Sequence, residues 1–434
     1  MKLIFDVSDK PKAGQLVVFA LQQMLAILAA TIAVPLIIGN GLTPAAAMFG
    51  AGVGTIVYIL FTKRKSPVFL GSSFAFLGSM AAAFAGGVSM QLGMLGLIVG
   101  AFLAGLVYVV IAIVVKFVGV GWLNKLMPAV VIGPTVAIIG LSLAGNAVGD
   151  LVKGDVTKQV TEYAVSTDSG TPEIIETVSN VPVGSSYVAL ICGLITLAVV
   201  MLCSTYGKKT LRLIPFIIGI LAGYAAAAIF TVIGNICDID ALKIVDFSIF
   251  SSYMLTDGSV SLKTFVSLPD FAFVSGLEGL KEFDFTYFAT IFVAYVPVAL
   301  VVFAEHVADH KNLSSIIDHD LLEEPGLTRT LLGDGVGSIA GALFGGCPNT
   351  TYGESVACVA ITGNASVVTI FAAAIGCMLF SFITPLVAFV DSIPACVMGG
   401  VCIALYGFIA VSGLKMIQDA NLDDNRNLFV VSVI

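Results

Sequence analysis

The sequence is poor in charge and in the residues that soluble enzymes use for chemistry. Only 11% of its 434 residues are charged, and it has three histidines and one tryptophan. About 25% of the residues in a soluble domain are charged, whereas here 58% are hydrophobic and the mean hydropathy is +1.05. This composition excludes a soluble globular protein and predicts a polytopic α-helical membrane protein.

Several functional motifs are also missing. The chain has no His-Glu-x-x-His sequence and no Gly-x-x-x-x-Gly-Lys-Ser/Thr loop, so a metalloprotease or an ATP-driven pump has no support. Its eight cysteines form no Cys-x-x-Cys pair and mostly lie in apolar runs, where cysteine behaves as a small hydrophobe. No basic patch suits a nucleic acid. We therefore predict no enzymatic activity, no metal and no cofactor.

Long apolar runs, in contrast, are abundant. A helix needs about 20 apolar residues to span a bilayer. The predicted spans are 15–39, 43–62, 92–116, 127–148, 187–205, 210–233, 285–308, 327–345, 365–388 and 395–414. Two shorter runs, 74–86 and 352–362, follow polar interruptions and are predicted to be half-helices. A thirteenth segment begins at Leu428.

Basic residues lie on alternate connections between these segments. Lys10 and Lys12 precede the first segment and residues 63–65 follow the second, whereas the short connections in between lack Lys and Arg. By the positive-inside rule, the N-terminus is cytoplasmic. The longer loops 149–186 and 234–284 are then external, and we predict a multi-pass protein of the cytoplasmic membrane.

The two parts of the chain resemble each other. Residues 52–56 match residues 335–339 at an offset of 283, and the same offset sets Gln22 opposite Glu305. These matches indicate an internal repeat, and the alternative explanation is chance similarity between glycine-rich helices. Repeats seven segments apart have opposite orientations, which predicts a 7+7 inverted-repeat transporter. Two sevens make fourteen segments, so the repeat predicts a sequence truncated near the start of helix 13.

Two polar interruptions occupy corresponding places in the repeats, at 67–74 and 344–354. Hydrocarbon tolerates irregular backbone and carboxyl groups only where protein or a water-filled cavity surrounds them. Paired interruptions of this kind indicate a transporter's binding site. Gly353 and Glu354 open the second half-helix, where free backbone N–H groups and a carboxylate offer donors and acceptors together.

Other polar residues near the interruptions have two interpretations. Asn349 and Thr350 could support the site or simply cap the half-helix. Phe74 stands at the symmetry-related position and could stack on a planar ring or pack in the core. Gln22 and Gln23 could donate hydrogen bonds from behind the site.

Glu305 lies deep in an apolar span, where an ionisable residue indicates function. Asp309 follows it at i+4 and therefore shares its helix face. One carboxyl group could bind a ligand while the other exchanges a proton. Alternatively, Asp309 could lie at the membrane interface. His306 points off this face and is predicted to be structural, and His310 is predicted to lie in the cytoplasmic-side loop.

Three motifs resemble one transporter family. The sequences at 303–307, 70–76 and 348–354 are similar to those of the nucleobase–ascorbate transporters, most closely the bacterial uracil permease branch. The resemblance implies short antiparallel strands before the two half-helices. It also implies a core domain (1–126 and 285–390) and a gate domain (127–284 and 391–434), with the gate forming a homodimer contact.

The resemblance implies a proton-coupled symporter that imports uracil by alternating access. By position, Glu305 and Glu354 match the family's two substrate-binding carboxylates, and Phe74, Tyr352 and Gly353 match positions that line the ring.

This chain departs from the uracil branch at two places. Asp309 stands where uracil permeases often carry His and xanthine permeases carry Asp, and Gln22-Gln23 replaces the usual Gln-His. A xanthine or uric acid:proton symporter is therefore the alternative substrate assignment. An anion exchanger or channel on a similar fold is a more distant alternative.

Overall fold

The computed structural model describes residues 3–119, 128–166, 173–207, 211, 214–254, 259–418 and 421–434. The described chain is mostly helical. The helices are α1 (Ala13–Ile38), α2 (Pro44–Phe61), α3 (Leu77–Ala83), α4 (Met90–Val118), α5 (Ala129–Asp150), α6 (Ser186–Tyr206), α7 (Pro215–Cys237), α8 (Ser248–Met254), α9 (Ala272–Glu278), α10 (Phe285–Ile317), α11 (Leu327–Gly345), α12 (Gly353–Thr362), α13 (Val367–Phe380), α14 (Thr384–Asp391), α15 (Ala395–Gln418) and α16 (Asn425–Val433). The strands are β1 (Leu70–Ser72), β2 (Thr157–Ser166), β3 (Glu173–Pro182) and β4 (Asn349–Thr351).

Among the described residues, seven helices are long and apolar enough to cross a membrane: α1, α2, α4, α6, α7, α10 and α15. The helices α3, α12 and α13 are apolar but shorter. This pattern agrees with the predicted polytopic helical membrane protein and with the two predicted half-helices.

Local sequence explains several helix boundaries. Thr43 caps α2 by accepting a hydrogen bond from the Ala46 N–H at 3.3 Å, and Asp284 caps α10 in the same way. Pro215 begins α7, later than the predicted start at residue 210, because its fixed φ suits the first helical position. Helix α10 continues to Ile317, well past the predicted end at residue 308.

The predicted single span at 365–388 is wrong. Helix α13 ends at Phe380, and α14 begins at Thr384 beside Pro385, which has no N–H to continue the helical pattern. The segment at residues 265–267 forms the hydrogen bonds at the break. The Thr384 N–H donates to the Phe265 carbonyl at 3.1 Å, and the Ser267 N–H donates to the Phe382 carbonyl at 3.0 Å.

The two halves of the chain meet in a short two-stranded sheet. Strand β1 pairs antiparallel with β4, and Gly71 lies opposite Thr350. Gly71 leaves room for the Tyr352 ring, which would come within 2.2 Å of a Cβ atom at that position. These are the short antiparallel strands implied before the half-helices.

Helices α2 and α11 pack backbone against backbone. A Cβ atom on Gly54 would lie 2.7 Å from the Gly337 carbonyl oxygen, and one on Gly337 would lie 2.8 Å from the Gly54 carbonyl oxygen. Gly50 and Gly341 approach each other in the same reciprocal way. Only glycine permits such close packing, so α2 and α11 form a rigid centre for the fold.

The helices pack into two groups. In the first group, α1 to α4 pack with α10 to α13; in the second, α5, α6 and α7 pack with α15. Helix α9 (Ala272–Glu278), from the range predicted for the gate, packs against α4. The predicted long external loop at 149–186 contains the β2–β3 hairpin, which the sequence analysis did not predict.

Backbone hydrogen bonds tie the N-terminal residues to the end of α12. The Ile4 N–H donates to the Gly363 carbonyl at 2.7 Å, and the Ala365 N–H donates to the Phe5 carbonyl at 2.9 Å. This N-terminal strap (residues 4–9) therefore holds the half-helix from the end opposite Glu354.

Candidate functional site

The β1–β4 sheet positions the starts of the two half-helices. Because the strands are antiparallel, the chain leaves the sheet in opposite directions into α3 and α12. The first residues of each helix have N–H groups with no partner inside the helix. At the start of α12, Gly353 is exposed and Glu354 is half-buried, so both can reach a ligand.

Asp309 lies beside the start of α12. Its Oδ2 atom accepts a hydrogen bond from the Thr351 hydroxyl at 2.9 Å. Its Oδ1 atom is 3.9 Å from the position of a Cβ atom on Gly353. Helix α10 thus faces β4 and α12 with the side that carries Asp309.

Three carboxyl groups converge at the candidate site. Glu305 and Asp309 are both half-buried on one face of α10, and each lies within electrostatic range of Glu354. Close negative charges repel one another strongly where water is scarce. The arrangement therefore favours a ligand with N–H donors together with a proton that neutralises one carboxylate.

The two glutamines have different surroundings. Gln23 is buried and its amide donates to the Ser355 hydroxyl, so it supports α12 from behind. Gln22 is half-buried, and its Oε1 atom has no hydrogen-bond partner among the described residues. The structure therefore gives Gln23 a supporting role and leaves the Gln22 carbonyl unpaired.

Asn349 and Thr350 do not cap α12, because the cap position is occupied by Tyr352. The Asn349 side-chain amide donates to the Gly50 carbonyl at 3.2 Å, and its backbone N–H donates to the Ser338 hydroxyl at 3.0 Å. Asn349 therefore fixes β4 to α2 and α11, and the capping interpretation is wrong for this residue.

The two aromatic candidates flank the sheet. Phe74 is 9% exposed and begins a single 3₁₀ turn before α3. Its ring meets Tyr406 of α15 edge-on, with centroids 5.8 Å apart, so it contacts the second helix group. Tyr352 is 4% exposed and its hydroxyl donates to the Ser72 carbonyl at 2.7 Å.

Sequence reasoning missed a buried polar cluster behind this site. The His306 Nδ1 atom lies 2.6 Å from Asp334 Oδ2, and the His310 Nε2 atom lies 2.6 Å from the Tyr58 hydroxyl oxygen. The predicted loop position of His310 is wrong, because it is fully buried inside α10, which is longer than expected. Asp334 stands in the apolar run 327–345, so the rule that singled out Glu305 could have found it.

Comparison with known proteins identifies the family. A family model described as "Permease family" matches residues 14–434. The chain belongs to this family, the nucleobase–ascorbate transporters. It is 36% identical over 437 residues to a uracil permease of Bacillus caldolyticus, covering 100% of this chain and 87% of the relative. The uracil permease of Escherichia coli (strain K12) is 33% identical over 430 residues, covering 99% and 85% of the two chains.

Solved structures with a similar fold come from other transporters. The transmembrane domain of the cyanobacterium bicarbonate transporter BicA gives a TM-score of 0.65 at 13% identity, covering 98% of this chain and 96% of that chain. SLC26A9 gives a TM-score of 0.56 at 13% identity, covering 96% of this chain and 61% of that chain. At this identity the likeness concerns the fold. Together, the comparisons establish a membrane permease and not an enzyme.

Proposed function

We propose that this permease is a proton-coupled uracil symporter of the cytoplasmic membrane, with its N-terminus in the cytoplasm. The observation that carries the proposal is the convergence of Glu305, Asp309 and Glu354 at the start of α12. Its relatives with 33–36% identity are named uracil permeases, which supports a nucleobase as the substrate.

Uracil suits this arrangement because it is neutral and planar, with alternating N–H and carbonyl groups. The carboxylates of Glu305 and Glu354 accept from its N–H groups. Backbone N–H groups at the starts of the half-helices, next to Phe74 and Gly353, donate to its carbonyls. A proton on Asp309 or Glu305 reduces the repulsion among the three carboxyl groups, so substrate and proton bind together.

The two helix groups are proposed to move against each other in alternating access. We assign the first group to a core domain (1–126 and 285–390) and the second to a gate domain (127–284 and 391–434) that also forms a homodimer, with α9 of the gate range packing against α4 of the core. A 7+7 inverted repeat is supported by the reciprocal contact of Gly54 and Gly337, which are 283 residues apart.

A xanthine or uric acid:proton symporter is the second candidate, and it is favoured by the presence of Asp309. An anion exchanger has less support. The fold resembles two transporters from other families, but three carboxyl groups in the candidate site would repel an anion.

The substrate assignment is tested by uracil binding to purified protein. We expect Glu305→Gln and Glu354→Gln each to weaken binding about ten- to a hundredfold, because a hydrogen bond to a charged group contributes about 1.5–3 kcal/mol. Glu323→Gln, at an exposed position, is the matched control. Near-normal binding by both site variants would refute the assignment, and stronger competition by xanthine than by uracil would favour the second candidate.

Proton coupling is tested by uptake into proteoliposomes. We expect a protonophore to stop uracil accumulation without preventing binding. Asp309→Asn keeps the shape of the side chain and its contact with Thr351 but cannot exchange a proton. It should therefore permit exchange of internal for external uracil while accumulation is lost. Accumulation driven by a sodium gradient would contradict the proposal.

A further inference from the structure

Two consecutive basic residues at the end of α2 have a backbone conformation that residues other than glycine rarely adopt. Lys63 has a φ of 54° and Arg64 has a φ of 60°, and both side chains are exposed. A Cβ atom is crowded at such left-handed values, so glycine is the usual residue there. Strained backbone of this kind is concentrated at sites where the side chain has a function.

Backbone hydrogen bonds and a buried threonine hold this turn in place. The Thr62 N–H donates to the Tyr58 carbonyl and the Arg64 N–H donates to the Ile59 carbonyl, both at 2.9 Å. Thr62 is fully buried, and its hydroxyl donates to the Tyr58 carbonyl at 2.9 Å. The two exposed basic residues therefore follow a fixed anchor.

The packing of α2 against α11 brings a third basic residue to the turn. The contacts between these helices advance by four residues along each helix. From α2, Ala46, Gly50, Gly54 and Tyr58 meet, in this order, Gly345, Gly341, Gly337 and Gly333 of α11. The next step places Thr62 level with Arg329, which is exposed in the first turn of α11. Lys63, Arg64 and Arg329 thus form a basic cluster at one end of the helix pair.

The charge of this basic cluster is not neutralised by the protein. None of its three residues has an ion-pair partner among the residues that the structure describes. The neighbouring Lys65 pairs with Glu324, which precedes α11, and Glu323 adds one exposed carboxylate. Three unpaired cations beside one carboxylate leave an excess of positive charge, and like charges this close repel one another. An anion bound here would relieve that repulsion.

The place of the basic cluster in the fold indicates the class of anion. Helix α2 has 18 residues and is apolar enough to cross a membrane, so its last turn lies near the level where hydrocarbon meets the headgroups. Leu60, in that last turn, is 61% exposed. An exposed apolar side chain next to unpaired cations suits a molecule that has both an acyl chain and an anionic headgroup.

We propose that the basic cluster binds the headgroup of an anionic phospholipid, in the leaflet that borders this end of α2 and α11. The two guanidinium groups can each donate a pair of hydrogen bonds to phosphate oxygens, and the Lys63 ammonium adds a point charge. The acyl chains then lie against Leu60. The proposal involves neither uracil nor proton coupling, so it can fail without affecting the proposed function.

The test is thermal unfolding of the purified protein in a neutral detergent with added lipid. Dioleoylphosphatidylglycerol should raise the unfolding temperature of the wild type more than the same concentration of dioleoylphosphatidylcholine. A variant with Lys63→Gln, Arg64→Gln and Arg329→Gln should need about a hundredfold more phosphatidylglycerol for the same rise. The reason is that each basic residue near an anionic surface contributes roughly a fivefold gain in affinity.

The matched control removes the same charge from exposed lysines elsewhere. It combines Lys10→Gln, Lys12→Gln and Lys311→Gln, and these residues also have no ion-pair partner in the described part of the chain. This variant should respond to phosphatidylglycerol as the wild type does. An equal loss of response in the control would show a general effect of surface charge and would overturn the proposal.

A second variant separates lipid binding from the fold of the turn. Lys63→Gly combined with Arg64→Gly removes two charges and relieves the left-handed strain. It should be at least as stable as the wild type in detergent alone, yet it should need about twenty-five-fold more phosphatidylglycerol. If the two residues only shape the turn, this variant will keep the wild-type lipid response, which would overturn the proposal.

Inorganic phosphate tests the other source of the same chemistry. If it stabilises the wild type as strongly as phosphatidylglycerol does at equal concentration, a soluble anion occupies the basic cluster and the lipid assignment is wrong. Equal responses of the wild type and the triple glutamine variant of the cluster would also overturn the proposal. Should that triple variant fail to fold, the glycine variant decides.

Discussion

Ser355 shows how one hydroxyl group holds the candidate site together. Its Oγ atom accepts a hydrogen bond from the Gln23 amide and another from the Phe69 backbone N–H at 3.1 Å. Gln23 is in α1, Phe69 directly precedes β1 and Ser355 is in the first turn of α12. A buried donor left without an acceptor costs about 1–3 kcal/mol, so this hydroxyl fixes the helix start where Glu354 stands.

Asp155 holds the start of α15 in a comparable way, and its contribution to stability depends on pH. Its Oδ1 atom accepts from the Ala395 N–H at the start of α15 at 3.1 Å. Burial, with smaller contributions from Asp246 and Asp150, raises the pKa of Asp155 from 3.8 to about 6. The folded state therefore binds the proton more tightly than the unfolded state, and stability falls as the pH rises from 3.8 to about 6.

Asp155→Asn should remove this pH-dependent cost while keeping an acceptor for the Ala395 N–H. We expect the variant to be more stable than wild type above pH 6, by up to about 3 kcal/mol for a shift of about two pKa units. The difference should vanish at low pH, where Asp155 is protonated in both states. Thermal unfolding in detergent at several pH values measures this. Asp238→Asn, with a side chain 97% exposed, is the control, and equal pH profiles for both variants would contradict the explanation.

At the level of residues, the sequence indicated Glu305, Asp309 and Glu354 because each breaks a local rule. Glu305 lies in an apolar span, Asp309 follows it at i+4, and Glu354 is the last residue of a polar interruption. The tasks of Asn349 and Gln23 could not be predicted in the same way. Their partners are Gly50 and Ser355, about 300 residues away along the chain, and only the folded packing brings these groups together.

At the level of elements, the contact between α2 and α11 leaves no space for a side chain. A Cβ atom on Gly54 would lie 2.6 Å from the Asn349 amide nitrogen and 2.7 Å from the Gly337 carbonyl oxygen. Gly54→Ala should therefore push the two helices apart, at a cost of about 1–3 kcal/mol or more. It should also displace β4, because Asn349 anchors that strand.

The measurement is the thermal stability of the purified variant together with its affinity for uracil. Gly145→Ala in α5 is the matched control, because nothing lies within 4 Å of its Cβ position. Alanine favours a helix over glycine by about 1 kcal/mol, so this variant should keep or gain stability. Equal stability of the two variants would show that α2 and α11 pack less tightly than the structure indicates.

Apolar length predicted most of the helices, and the two polar interruptions predicted the half-helices. The division into α13 and α14 could not be read from apolar length, because it depends on hydrogen bonds from residues 265 and 267. The β2–β3 hairpin and the N-terminal strap were also missed. The strap pairs residues 4–7 with residues 363–367, a contact between distant segments that local periodicity cannot reveal.

At the scale of the whole molecule, the two helix groups differ in what holds them together. The first group is held together by the glycine contacts of α2 and α11 and by the N-terminal strap at the C-terminal end of α12. The second is joined by backbone hydrogen bonds. The Cys396 N–H donates to the Lys153 carbonyl and the Asp155 N–H donates to the Ile244 carbonyl, both at 3.1 Å. Each group is therefore held together by its own contacts, and the proposed alternating access requires such internally connected groups.

One contact between the groups allows this motion to be tested. Ile214, at the start of α7 in the second group, packs against Ala26 of α1 and Cys358 of α12 in the first group. Ile214→Cys should become linked to the native Cys358 by an oxidant or a short thiol cross-linker. Linking the groups should stop uracil accumulation in proteoliposomes, because the groups can no longer separate, and a cleaving reductant should restore it. Ile214→Cys combined with Cys358→Ala should be insensitive to the same treatment. Normal accumulation by the linked protein would show that transport does not require separation at this contact and would exclude rocking of the second group against α12.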